Sequence, residues 1–133
     1  MDLEWGEHLS TGVTSLDEEH RNLIADYEHL VDALDHSEDV SGFGQAFSRL
    51  MASARDHFAH EERVMRNIGL PDYGNHKKEH ERLLKDAEDF FHNISLVFEK
   101  KDCEAVAKYF RFWLIRHIQD HDQKIKQHID RSN

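Results

Sequence analysis

The sequence predicts an all-α protein, an antiparallel up-down-up-down four-helix bundle preceded by an N-terminal arm. Four long segments repeat apolar residues at alternating spacings of three and four, the period of one helix face. Short breaks separate them, and the single proline, Pro71, falls in one of these breaks. Helices joined by short connections pack antiparallel to their neighbours. The 133 residues suit one domain, 1–133, with one core.

Residues 1–15 form the arm, which ends in Thr-Gly-Val-Thr-Ser. The first helix spans about 16–36 and carries Leu16, His20, Leu23, Tyr27, Leu30 and Leu34 on one face. A polar turn through Ser37 and Gly42 follows, with Ser41 a candidate N-cap. The second helix, about 41–67, aligns Phe43, Phe47, Leu50, Ala54, His57, Glu61, Val64 and Ile68. Gly69 can end it, and Pro71 forbids its continuation. The third helix, about 72–100, aligns Tyr73, His76, His80, Leu83, Ala87, Phe90, Ile94 and Val97. Asp102 is a candidate cap for the fourth, about 102–129, with Val106, Phe110, Trp113, His117, Ile118, Ile125 and Ile129.

Composition narrows the function classes. Hydrophobic residues at 38% and charged residues at 33% are the balance of a soluble globular chain. No apolar run approaches the roughly 20 residues that cross a bilayer. The opening MDLEWGEHLS lacks the basic and apolar blocks of a signal peptide, so a cytoplasmic location and no membrane partner are expected. A formal net charge of −10 argues against nucleic acid as a partner. The lone cysteine, Cys103, excludes an intramolecular disulfide and reads as a small apolar residue. The unusual number is twelve histidines.

His20, His57, Glu61, His76, His80 and His117 lie on stripes that should face the core. A buried carboxylate without a partner costs several kcal/mol, so such a layer needs either a hydrogen-bond network or a shared cation. His57 and Glu61 are i, i+4, as are His76 and His80, and each pair projects from one helix face. Imidazole and carboxylate donors suit iron, zinc, manganese or copper, and so many donors suit two ions rather than one. His8, His29, His36, His92 and His128 fall off the stripes, where a solvated side chain is expected, and His60 flanks the second-helix stripe. On the fourth helix His121 is i+4 from His117, whereas Asp122 lies about 140° around an ideal helix from it. The stripe drifts there, which leaves the two residues nearly equal by angle. Chemistry leans to Asp122, since a carboxylate can bridge two ions.

The four motifs in order resemble the hemerythrin family, in particular its single-domain bacterial members. They are His20 in Leu16-Asp17-Glu18-Glu19-His20, His57 to Glu61, His76 to His80, and His117 to Asp122. Trp5, Gly12-Val13, Glu61-Glu62-Arg63-Val64-Met65, Pro71-Asp72-Tyr73 and Trp113 extend the likeness over nearly the whole chain. The resemblance decides for Asp122 over His121. It implies two iron ions joined by an oxo or hydroxo bridge, with His76, His80 and His117 on one and His20 and His57 on the other. Glu61 and Asp122 would span both. Counting donors leaves one open position, on the iron of His20 and His57, where dioxygen would bind reversibly. Leu23, Phe58, Trp113 and Ile118 lie a turn or less from the ligands and are expected to wall that pocket.

The implied protein is an oxygen carrier, store or delivery protein, not an enzyme, and a monomer. Two other functions share the frame. A di-iron oxidase, peroxidase or nitric-oxide-reducing enzyme would favour a carboxylate-rich site, whereas imidazoles dominate here. An oxygen or redox sensor would act through an unidentified protein partner.

Overall fold

The computed structural model describes residues 10–36, 40–96, 99 and 102–132; the side chains of residues 36, 40, 41, 120–122 and 132 lie outside that description. Trp5, His8 and the 37–39 turn also lie outside it. Helix α1 spans Thr14–His36, α2 Val40–Asn67, α3 Tyr73–Ser95 and α4 Cys103–Arg116; a π-helical turn, His117–Asp122, then leads into α5, Gln123–Ser132. The architecture is the expected four-helix bundle, with α4, the π turn and α5 together forming the fourth rod. No helix among the described residues is long and apolar enough to cross a membrane.

Every stripe residue of α1, Leu16 to Leu34, is buried. The arm is fastened before α1 begins. Asp17 accepts hydrogen bonds from the Thr11 amide (2.8 Å), the Thr11 hydroxyl (2.9 Å) and the Ser10 hydroxyl (2.6 Å). Gln123 on α5 donates to the Ser10 carbonyl at 3.0 Å, which ties the arm to the end of the fourth rod.

Helix α2 closes as its glycine foretells. Gly69 takes a φ of +67°, which costs little without a Cβ. The Leu70 amide donates to Met65 O at 2.9 Å and the Gly69 amide to Arg66 O at 3.1 Å, a Schellman closure. Leu70 and Met65 are buried in one apolar cluster, the contact that accompanies such a closure.

Three expected boundaries differ. Helix α3 ends at Ser95, short of Lys100; Ser95 Oγ turns back to His92 O at 2.9 Å, a side-chain bond that competes with helical continuation. Residue 41 lies inside α2 rather than capping it. The fourth rod is not one α-helix, and its π turn explains the drift of its stripe. A π bulge adds one residue to a turn. Val106, Phe110, Trp113 and His117 follow an α spacing, and Ile125 and Ile129 rejoin that face one residue late. Ile125 is fully buried.

The apolar core is in two parts. The larger runs from Leu23 and Leu34 through Phe47, Phe58 and Phe110 to Ile118. The smaller holds Leu16, Met65, Leu70 and Ile125. On every rod the inward-facing histidines separate the two, so a polar layer divides the bundle.

If the π turn is a one-residue insertion, deleting exposed Gln119 should restore a continuous α-helix and keep Ile125 and Ile129 on the buried face. Circular dichroism should then show helix content and Tm no lower than in the wild type. Loss of cooperative melting would contradict the insertion account.

Candidate metal centre

The dividing layer is built from one histidine on α1, a His-Glu pair on α2, a His pair on α3 and the first residue of the π turn. His20, His57, Glu61, His76, His80 and His117 are all buried, with Glu61 and His20 wholly so. Glu61 stands at the centre. Its Oε2 faces His57 Nε2 at 3.0 Å and His20 Nε2 at 3.6 Å. Its Oε1 faces His80 Nε2 at 2.9 Å and His117 Nε2 at 3.4 Å.

The rings sort the same way. The His20 and His57 ring centres are 4.5 Å apart and those of His80 and His117 are 5.0 Å apart. Across the two pairs the separations are larger, 6.3 Å from His20 to His117 and 6.0 Å from His57 to His117. One carboxylate oxygen therefore serves each pair of imidazoles. His76 is buried one turn before His80, with its Nε2 3.9 Å from the Asp72 carboxylate.

Burial would raise the Glu61 carboxyl pKa. The positive charge of His117 and the close approach of the His117, His20 and His57 imidazoles outweigh it and hold the carboxyl well below the usual carboxylate range. The layer is thus organised around an anion that needs positive charge beside it. The donor set fits a metal. One donor atom each from His20, His57, Glu61 and His117 lie within 4.8 Å of one another. Two ligand atoms on opposite sides of one ion, each at about 2.0–2.2 Å, stand roughly 4 Å apart, so this cluster is on the scale of a metal centre.

Two carboxylates beyond the stripes orient the imidazoles. His57 Nδ1 donates to Glu19 Oε1 at 2.8 Å, and His80 Nδ1 donates to Glu62 Oε2 at 2.8 Å. A carboxylate only accepts, so each of these Nδ1 atoms carries a proton, and Nε2 is the nitrogen that faces Glu61 and would coordinate an ion. Glu19 Oε2 also receives His60 Nδ1 at 2.8 Å, which accounts for the histidine that flanks the stripe. Burial would raise the Glu19 pKa, but the bonds from His57 and His60 lower it overall. Sequence reasoning missed the roles of Glu19, Glu62 and His60. They flank the ligand motifs in the sequence, but their partners lie on other helices, and only the acidic doublets Glu18-Glu19 and Glu61-Glu62 hint at them.

Phe58 stacks on His80, with ring centres 4.1 Å apart and planes 3° from parallel, and lies 4.7 Å from His117. Trp113 adjoins Phe58 at 6.2 Å and donates its indole N–H to Leu83 O at 2.9 Å. Leu23 and Ile118 are buried in the same cluster. Of the remaining histidines, His29 and His92 are exposed, and the His128 ring bonds to Ile68 O at 3.0 Å. At the π turn the backbone hydrogen bonds run between residues five apart. The side chains of His121 and Asp122 lie outside the described residues.

The profile of the hemerythrin HHE cation binding domain matches residues 11–129. The chain belongs to the hemerythrin family. Among its hemerythrin relatives is a bacteriohemerythrin of Stenotrophomonas maltophilia (strain R551-3), 27% identical over 132 residues, covering 96% of this chain and 84% of that one. A hemerythrin-like protein of Naegleria gruberi is 27% identical over 122 residues, 92% of this chain and 89% of its own. A solved crystal structure of a leucine-to-phenylalanine mutant superposes with a TM-score of 0.78 at 24% identity, covering 92% of this chain and 94% of that one, which establishes likeness of fold. For this hemerythrin the His and Glu cluster is the part equipped to hold metal.

Replacing the orienting carboxylates, Glu19→Ala and Glu62→Ala, should lower metal affinity roughly 10–100-fold each while the helices stay folded. Chelator competition measures this; affinities equal to wild type would show that neither bond orients a ligand.

Proposed function

We propose that this hemerythrin binds dioxygen reversibly at a non-haem di-iron centre, as a carrier, store or delivery protein. The observation that carries the reading is the division of Glu61, one oxygen toward His20 and His57 and the other toward His80 and His117. A carboxylate shared in this way is the arrangement of a bridge between two ions. His20 and His57 would hold one iron, and His76, His80 and His117 the other. Glu61 and Asp122 would bridge them together with an oxo or hydroxo group. A pair of ferrous ions would supply the electrons that reversible dioxygen binding draws on.

The chain's own residues do the rest. Glu19 and Glu62 keep the protons of His57 and His80 on Nδ1, so both rings offer Nε2. The Phe58 ring braces His80 by stacking and packs at a tilt against His117. Leu23, Phe58, Trp113 and Ile118 are buried and would keep water from the ligand position. Water excluded in this way cannot carry in the protons that turn binding into loss of the reduced form. Five imidazoles against two carboxylates leave the centre less anionic than a carboxylate-rich one, which favours the reduced state and a carrier over an oxidase.

The test is the purified protein with and without air. Metal analysis should give about two irons per chain. The oxidised form should show an oxo-to-iron charge-transfer band, and the reduced, colourless form should take up about one dioxygen and release it under vacuum. One metal per chain, or zinc alone, would overturn the proposal, as would catalytic turnover with added reductant and no stable oxygenated form. Asp122→Ala should weaken iron retention far more than His121→Ala, measured by dialysis against chelator; the reverse order would reassign the fourth-rod carboxylate.

A further inference from the structure

A cleft opens between α3 and α4 with a volume of about 170 Å³, and His117 forms part of its wall. Among the four rods, α1 packs most extensively on α2, and the α3–α4 seam is looser than the α2–α3 and α1–α4 seams. The same imidazole that faces the cleft has its Nε2 3.4 Å from Glu61 Oε1. A molecule in this cleft would lie against a proposed ligand of the centre, and of the four residues proposed to wall the dioxygen pocket only Trp113 lines it.

The walls select what fits. Trp113, Tyr109 and Phe112 line the cleft beside Leu83. The hydrogen bond from Trp113 to Leu83 O holds the indole in place across the seam. Phe112 is 63% exposed, an apolar ring held in water at the cleft. An apolar cavity of about 150 Å³ accepts benzene, so this one has room for a single ring and its substituents. Both signs of charge also line it: Glu79 and Asp86 against Arg82 and Arg116, with Glu79 and Arg82 paired at 2.7 Å. Such a lining favours no net charge but includes both acceptors and donors for the hydroxyl groups of a ring. The cleft that reaches His57 is different, lined by Glu19, Asn22, Ser53 and Asp56 with no aromatic wall beyond the imidazole.

We propose that the α3–α4 cleft binds a single-ring quinol, a benzene-1,4-diol, and that His117 conducts its electrons to the metal centre. This rests on the di-iron reading. The quinol loses two electrons and two protons and leaves as the quinone. The two electrons would return two ferric ions to the ferrous state, and the two protons would pass to solvent. The role is reductive rescue of the oxidised form, which cannot bind dioxygen.

The experiment uses the oxidised, iron-loaded protein under nitrogen, with hydroquinone or dithionite as reductant and the visible band as the readout. With hydroquinone, the rate of bleaching should saturate. Benzene-1,3-diol, which cannot form a quinone, should compete with it. The 1,3-diol should also quench tryptophan fluorescence saturably in the wild type and not in Trp113→Phe. Removing a stacked ring in Phe112→Ala should raise the half-saturating hydroquinone concentration roughly three- to tenfold. Leu96→Ala, another exposed apolar residue ten positions beyond Asp86, should leave it unchanged. Bleaching that stays linear in hydroquinone, or is unaltered in Phe112→Ala, would overturn the inference while normal dithionite bleaching leaves the di-iron reading intact. Absence of iron, or failure of dithionite to bleach the band, would instead defeat that reading and the inference with it.

Discussion

A fully buried, ionised carboxylate surrounded by imidazoles is the constraint on which the rest of this bundle depends. Glu61 gains nothing from a greasy interior, and burial alone would drive it toward its neutral form. It stays charged because His20, His57, His80 and His117 aim their Nε2 atoms at its two oxygens. These residues come from four different rods. The carboxylate can be satisfied only when every rod is in register, so the polar layer specifies the bundle as well as serving it.

The surrounding structure keeps that layer in position. Apolar clusters close it from both ends, with Leu23, Phe58 and Phe110 on one side and Met65, Leu70 and Ile125 on the other. The Schellman closure at Gly69 sets where α3 begins and therefore where His76 and His80 stand relative to Glu61. The Asp17 clasp fixes the arm to the first turn of α1, one turn before His20. The π turn has a comparable role. One extra residue after His117 lets the fourth rod place His117 in the polar layer and return Ile125 to the smaller cluster.

Much of this was legible in the sequence because it follows from period. Leu16, His20, Leu23, Tyr27, Leu30 and Leu34 read as one face, and all are buried; the same spacing exposed His57, Glu61, His80 and His117 as polar residues in apolar company. What stayed hidden depends on contacts between helices. Nothing in the local spacing pairs Glu19 with a histidine 38 residues away, or Glu62 with one 18 residues away. The early end of α3 was unreadable for another reason: apolar residues continue to Val97, and no glycine or proline marks the stop. Stripe drift after His117 was visible in the sequence, but its cause, a widened turn, is a property of the backbone.

Whether Glu61 lies between two metal ions is tested most directly by anomalous diffraction at the iron edge from crystals of the iron-loaded protein. Two peaks of similar height are expected, one beside the His20 and His57 pair and one beside the His80 and His117 pair, with Glu61 between them. A single peak, or peaks only at surface carboxylates, would contradict it.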